Sequence, residues 1–98
     1  MTSRTPTSEL NEVIHPARRL AICAFLSEVS ESEFATVRDA LKISDSSLSK
    51  HVSTLRGAGY VRVSKLVDAG RVRTWLALTR EGRAAYATHI RALKRMIG

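Results

Sequence analysis

The amino-acid sequence predicts one mainly α-helical domain that carries a single β-hairpin, an α+β fold class. Apolar residues recur at helical spacing through residues 9–57 and again through residues 79–97. Between these stretches, residues 60–78 alternate apolar and polar side chains, as half-buried strands do. With 98 residues and 44% hydrophobic side chains, the chain has the size and composition of one domain. We expect residues 1–8 to be a disordered polar tail and residues 9–98 to form that domain.

The N-terminal part predicts a short lead-in helix over residues 9–15 and a longer helix from Pro16 to about Val29. Proline suits the first position of a helix, where its missing N–H would have no partner anyway. The longer helix is apolar on nearly all sides, which predicts one face in the core and another against a partner. Cys23 lies inside this apolar run, and we expect it to be a core residue rather than a metal ligand.

Two further helices follow a polar loop that ends near Glu33. Phe34, Val37 and Leu41 recur at helical spacing and predict a helix over residues 34–42. Only a three-residue turn separates it from a third predicted helix, residues 45–57, for which Ser44 is a suitable N-cap. The third helix has a buried stripe and ends at two glycines; the stripe consists of Leu48, Val52 and Leu55.

The hydrophobic period changes to two after Gly59, which predicts a β-hairpin with a basic tip and a turn at residues 68–70. Thr79 then suits the N-cap of a final helix. An apolar stripe at helical spacing runs along that helix: Tyr86, Ile90, Leu93 and Ile97.

Charge is unevenly distributed along the chain. The total is +7, from sixteen basic and nine acidic residues, but residues 1–49 carry −2 and residues 50–98 carry +9. A basic half of this kind indicates a polyanionic partner. The sequence contains no paired carboxylates in an apolar setting, no glycine-rich phosphate loop and no nucleophile with a base, so we do not expect an enzyme.

The second and third helices with their short turn form a helix-turn-helix unit, and the basic hairpin behind them makes it a winged helix-turn-helix with a three-helix core. On the third helix, at 100° per residue, one polar face points away from the buried stripe. We expect this face to contact DNA: Ser46, Lys50 and Ser53, flanked by Ser47, Ser49 and Thr54. The alternative is a solvated polar face with N-cap chemistry.

The hairpin, which we call the wing, supplies further cations. We expect Arg71 and Arg73, and after them Lys65, to contact phosphates or a minor groove. The alternative is that some of these charges only prevent unwanted pairing of an edge strand.

Two segments resemble the small winged-helix regulators of the MarR/ArsR type: Ser47-Leu-Ser-Lys-His-Val-Ser-Thr-Leu-Arg-Gly-Ala-Gly-Tyr-Val61 and Arg73-Thr-Trp-Leu-Ala-Leu-Thr-Arg-Glu-Gly82. His15-Pro-Ala-Arg-Arg-Leu-Ala-Ile22 is similar to the first core helix of that group. The resemblance implies a homodimer that places helix 45–57 in successive major grooves and wing 62–73 on the backbone or minor groove. It also implies dimerisation through the terminal helices, including the final one, and the spare apolar residues there are the expected interface: Leu10, Val13, Ile14, Ala17, Tyr86, Ile90, Leu93 and Ile97.

The paired cysteines or His/Asp clusters of ArsR-type metal sensors are not apparent in this sequence, so we expect neither a metal nor another cofactor. Larger MarR-type proteins hold small ligands between dimer helices, and any small-molecule effector is therefore expected at the subunit interface. The single cysteine, the polar N-terminus and a longest apolar run of seven residues (Leu20–Leu26) predict a soluble cytoplasmic protein without a membrane partner.

Taken together, these features predict a sequence-specific regulator of transcription that binds double-stranded DNA as a homodimer. Two other functions remain open from the sequence: a winged helix that binds DNA or RNA without reading sequence, and a protein-interaction module. Few aromatic side chains are present for base stacking, which disfavours sequence-reading RNA binding.

Overall fold

The structure, a computed structural model, describes residues 10–98. Within this range the elements follow the order α1 (Ala17–Ser27), β1 (Ser32–Glu33), α2 (Phe34–Leu41), α3 (Asp45–Gly57), β2 (Val61–Asp68), β3 (Arg71–Leu78) and α4 (Arg80–Ile97). Three core helices, a hairpin and a final helix therefore confirm the predicted winged helix-turn-helix architecture. The expected disordered tail, residues 1–8, lies outside the described residues.

The lead-in helix predicted over residues 9–15 is wrong in the described part, where Glu12–Ile14 form a single turn. The side-chain oxygen of Asn11 accepts hydrogen bonds from the backbone N–H groups of Val13 (2.9 Å) and Ile14 (3.2 Å). These bonds have N-cap geometry, so Asn11 starts the helical turn only at Glu12. Pro16 then prevents the turn from running into α1, because proline disfavours the α conformation in the residue before it.

The helix-turn-helix unit forms as the sequence predicts. The side-chain oxygen of Ser44 accepts a hydrogen bond from the N–H of Ser47 (3.0 Å) and caps α3. Lys42 adopts the left-handed conformation (φ 55°) that ends α2. Arg38 on α2 also pairs with Asp45 at the start of α3 (2.8 Å), so an ion pair joins the two helices across their turn.

The sheet has one strand more than expected, because residues 32–33 were predicted as loop. The strand order is β1-β3-β2, all antiparallel, with Ser32 opposite Leu76 and Glu33 opposite Trp75. A two-residue strand has too little length for an alternating pattern, and only its pairing with β3 identifies it. Because β1 pairs with β3, β3 is the central strand of the sheet, and the wing is anchored to the start of α2.

The hairpin turn consists of Ala69 and Gly70, both with positive φ (51° and 77°), between the paired residues Asp68 and Arg71. Two consecutive positive φ angles define the tight turn whose twist matches that of paired strands. Gly70 adopts such a conformation without steric cost, which explains why the turn lies here.

The core lies between the three helices and the base of the sheet. Buried side chains from every element except β1 and α4 form it, together with Ile14 from the N-terminal turn: Ile14, Ile22, Cys23, Leu26, Val37, Leu48, Val52, Leu55, Val61, Leu76 and Leu78. Cys23 is a fully buried core residue, as predicted, and burial raises the pKa of its thiol to about 11. None of the helices in residues 10–98 has the length and hydropathy required to cross a membrane.

Helix α4 begins against the backbone of Tyr60, just before β2. Thr79 caps α4 by accepting from the N–H of Gly82 (3.0 Å), and its own N–H donates to the carbonyl of Tyr60 (2.9 Å). A Cβ atom at Gly82 would lie 2.1 Å from that same carbonyl oxygen. Only glycine therefore permits this close approach of α4 to the sheet.

A buried histidine ties α4 to the N-terminal turn. His89 is fully buried, and its Nδ1 accepts a hydrogen bond from the backbone N–H of Asn11 (3.0 Å). The Asn11 side-chain amide donates in turn to the hydroxyl of Tyr60 (2.9 Å), and the ring of His15 meets that of His89 edge-on at 5.5 Å. Burial, and secondarily the nearby His15, lower the pKa of His89.

We predict that Gly82→Ala lowers the free energy of unfolding by about 1–3 kcal/mol, the usual cost of forcing extra atoms into a packed site. Gly57→Ala is the matched control, because a Cβ at Gly57 meets nothing within 4 Å and alanine is the better helix former. Urea unfolding followed by circular dichroism measures both. Equal stability of the two variants would contradict this account of the α4 contact.

We also predict that stability falls as the pH drops below the ordinary histidine pKa of about 6.5. Since the folded-state pKa of His89 is lowered, the unfolded chain binds the proton first, and the stability present above that pH is lost on acidification. One such group contributes a slope of at most about 1.4 kcal/mol per pH unit. Urea titrations at neutral and mildly acidic pH test this in the parent and in His89→Gln, which keeps an acceptor for Asn11 but cannot titrate. The parent should lose more stability; equal losses would refute the role of His89.

Candidate nucleic-acid interface

The polar face of α3 points away from the core, because the opposite side of the helix is buried. Ser46, Lys50 and Ser53 are exposed, as are the flanking Ser49 and Thr54. The predicted face of the helix therefore exists as a solvent-facing surface. Among these side chains, Lys50 has no ion pair within the described residues, so its charge is available to a partner.

Some hydroxyls on this face already have partners in the chain. Ser47 is half-buried, and its hydroxyl oxygen accepts a hydrogen bond from Arg18 of α1 (3.1 Å). Thr54 donates to the backbone carbonyl of Lys50 (3.3 Å). Ser49 and Ser53 have no hydrogen-bond partner for their side chains in residues 10–98, which leaves both hydroxyls available.

The wing has two faces, which the strand pairing identifies. On one face the strands pair four residues with four: Val61 with Leu78, Val63 with Leu76, Lys65 with Thr74 and Val67 with Val72. The pairs nearest the base of the wing contribute to the core and to the groove along α3. We call this the inner face. The alternate residues form the outer face, where Ser64 is opposite Trp75 and Asp68 is opposite Arg71.

A groove of about 470 Å³ separates α3 from the inner face of the wing. Ser49, Ser53 and Arg56 line its α3 side, and Lys65 and Thr74 line its wing side. The remaining lining residues are Phe34, Asp45, Val52, Val63 and Leu76. The structure thus brings the α3 face and Lys65 to one side of the molecule, on opposite walls of one groove.

The two wing arginines differ in their surroundings. Arg71, beside the turn, is exposed and has no ion pair within the described residues. Arg73 lies on the outer face and pairs with Glu33 of β1 (2.9 Å) and with Asp68 (3.5 Å), at 41% side-chain exposure. Contact of Arg73 with DNA remains a prediction that requires these pairs to open, and the pairs themselves indicate that Arg73 holds the wing against β1.

Sequence reasoning missed two cations of this surface. Arg56 lines the groove and has no ion pair in residues 10–98. It follows Ser49 and Ser53 at i, i+4 and i+7, so helical spacing alone was a sufficient signal. Arg18 reaches Ser47 from a helix 29 residues away along the chain, and no local pattern in the sequence indicates such a contact.

His51 on α3 does not add positive charge to this surface at neutral pH. Partial burial lowers the pKa of His51, and the nearby cations Arg19, Arg18 and Lys50 lower it further. The neutral ring meets the guanidinium of Arg19 at 3.3 Å through Nδ1, which then accepts the hydrogen bond. His51 therefore packs within the motif, between α1 and α3.

The residues expected at a dimer interface differ in their exposure to solvent. Ile14 is 0% exposed in the core of its own chain, so its side chain cannot meet a partner, and we remove it from the proposed interface. Val13 and Tyr86 also pack against this core but stay partly accessible. The others are half-buried or exposed: Leu10, Ala17, Ile90, Leu93 and Ile97.

No group of three or more His, Cys, Asp or Glu side chains in residues 10–98 has an arrangement that could hold a metal ion. The cations of the interface instead point to an anionic ligand. Four cations have no ion pair in the part of the chain that the structure describes, and serine hydroxyls near them offer hydrogen bonds: Lys50, Arg56, Lys65 and Arg71. This combination suits phosphate groups together with polar base edges.

Comparison with known proteins agrees with this geometry. A family model described as a winged helix DNA-binding domain matches residues 18–97. The chain is 30% identical over 79 residues to the uncharacterized protein MJ0432 of Methanocaldococcus jannaschii, an alignment that covers 81% of this chain and 86% of that protein.

Two solved structures extend the comparison. The transcriptional regulator homologue protein from Pyrococcus horikoshii OT3 is similar with a TM-score of 0.81 and 26% identity, over 89% of this chain and 86% of that chain. HlyU from Vibrio cholerae N16961 is similar with a TM-score of 0.67 and 27% identity, over 82% of this chain and 83% of its own. The family match spans nearly the whole described fold, from the second residue of α1 to the last residue of α4.

Proposed function

The chain belongs to the winged helix DNA-binding domain family, and on that premise we propose that it is a sequence-specific transcriptional regulator that binds double-stranded DNA as a homodimer. One observation carries the proposal. Ser49 and Ser53 on the exposed face of α3 border a single groove with Arg56 and Lys65, two cations that have no ion pair in residues 10–98. A duplex on that side of the molecule would meet all of them at once.

The dimensions of DNA suit this surface. A major groove about 12 Å wide admits a helix, and α3 would enter it with Ser46, Lys50 and Ser53 toward the base edges. Arg56 and Lys65 would then contact phosphates of the strand that runs between α3 and the wing. The turn of the wing, with Arg71, would reach the neighbouring backbone or minor groove.

An apolar stripe on α4 supports the homodimer. Ile90, Leu93 and Ile97 follow i, i+3 and i+7, and Ile97 is 85% exposed in the single chain. None of the three belongs to the core or packs against it in the described residues. An exposed apolar stripe on one helix is typical of a surface that pairs with another molecule. A twofold dimer would present two copies of α3 to two half-sites.

Selection of bound duplexes from a random pool tests the proposal directly. A dimeric regulator enriches a near-palindromic consensus whose half-sites are about one helical turn, or a multiple of it, apart. A competition band shift with the selected duplex should then survive an excess of unrelated DNA and of RNA. Absence of any enriched sequence would refute sequence-specific reading, and a consensus without internal symmetry would refute the dimer. We propose a cytoplasmic location as well, because a regulator must share a compartment with the DNA that it binds.

We predict that Lys50→Ala weakens binding to the selected duplex by about 1–3 kcal/mol and relaxes the preference at one or two base positions. Lysine and alanine are both good helix formers, so α3 should persist. Arg91→Ala on α4 removes one positive charge at an exposed position that lies outside α3, the wing and the apolar stripe of α4, and it is the control. Fluorescence anisotropy with single-base variants of the duplex measures both effects. Identical behaviour of the two variants would remove Lys50 from the reading face.

We predict that Arg71→Ala weakens binding to all duplexes to a similar extent, because a phosphate contact carries no base information. Loss of one such contact flattens the slope of log K against log salt concentration by about 0.9. Titrations at several salt concentrations, again with Arg91→Ala as the control, measure the slope. An unchanged slope together with a changed base preference would assign Arg71 to base reading instead.

A further inference from the structure

The tip of the wing carries an exposed pair of valines. Val67 and Val72 face each other across the hairpin, at 75% and 65% exposure. They lie on the inner face, one row beyond Lys65 and Thr74, which line the groove along α3. Beyond the polar row of Lys65 and Thr74, the inner face is thus apolar again at the end of the wing.

The fold does not require apolar side chains at these positions. Neither valine belongs to the core cluster or packs against it in the described residues. A strand favours β-branched side chains, but threonine would satisfy that preference as well as valine and would not expose additional methyl groups to water. No packing partner in residues 10–98 therefore explains the apolar chemistry of the pair.

The surroundings of the pair indicate the chemistry of its partner. Lys65 lies beside it on the same face and Arg71 lies next to Val72 at the turn; neither cation has an ion pair within the described residues. A partner surface must therefore combine apolar area with negative charge on its flanks. The walls of a DNA minor groove have this composition, since the sugar faces are apolar and phosphates border them on both sides.

We propose that Val67 and Val72 form an apolar contact of the wing tip with the sugar walls of the minor groove adjacent to the major groove that α3 occupies. Lys65 and Arg71 bind the phosphates on either side of that contact. This inference rests on the proposed function, because it assumes a duplex against α3. It adds a contact whose energy is independent of salt, next to the salt-dependent phosphate contacts.

The test is the double variant Val67→Thr/Val72→Thr, which keeps both side chains β-branched and exchanges one methyl group in each for a hydroxyl. Leu66→Thr is the matched control, since Leu66 is 56% exposed at the same end of the wing but on the outer face. Fluorescence anisotropy with the duplex recovered by selection should give about tenfold weaker binding for the double variant. The salt slope should match that of the parent, and Leu66→Thr should bind within about twofold of it.

Four results would overturn the inference. If the double variant binds the selected duplex as the parent does, the valine contact is absent although the proposed function stands. If Leu66→Thr weakens binding equally, the contact is not specific to the inner face. If sedimentation shows that the double variant changes the oligomeric state, the pair is an interface between copies of the chain. A parent chain that binds no duplex overturns both the inference and the proposed function.

Discussion

Burial of one stripe of α3 is the constraint on which the rest of this molecule depends. Leu48, Val52 and Leu55 lie in the core, and a helix with that side fixed presents its opposite side to solvent. Serine is only a middling helix former, so a helix rich in serine needs the core contact and the Ser44 cap to persist. Because packing rather than propensity holds α3, its outer face can consist of short polar side chains.

The wing depends on a second constraint, its attachment on two sides. Its inner face contributes Val61 and Leu76 to the core, and on its outer face Arg73 joins β1 through Glu33. An exposed ion pair of this kind contributes at most about 1 kcal/mol to stability. Its structural value is that it ties the central strand to the start of α2, and thereby sets the position of the wing relative to the helix-turn-helix unit.

The helices and the hairpin could be predicted from the sequence because their signals are local. The stripe of α3 and the caps at Ser44 and Thr79 lie within single elements, and the structure has them where the patterns indicate. The lead-in helix was wrong because Asn11 caps a turn that starts only at Glu12 and Pro16 ends it at once, and periodicity detects neither limit. The sequence did not predict strand β1, because two residues are too few to show an alternation of apolar and polar side chains.

The candidate interface, like the fold, could be predicted from the sequence only where the signal is local. The exposure of Ser46, Lys50 and Ser53 follows from helical geometry, so the sequence was sufficient. The ion pair between Arg73 and Glu33 joins residues that are 40 positions apart in the sequence. The hydrogen bond between Arg18 and Ser47 joins residues that are 29 positions apart. Such contacts depend on how the elements pack, and the sequence pattern of one element contains no information about them.

The central claim is that one side of the molecule, formed by α3 and the inner face of the wing, holds the duplex. Amide chemical-shift mapping by NMR, on the labelled chain titrated with the selected duplex, tests it most directly. We predict the largest shift changes at residues 46–53 and 65–72, with small changes along residues 88–97 of α4. Large changes confined to α4, with residues 46–53 unaffected, would contradict it.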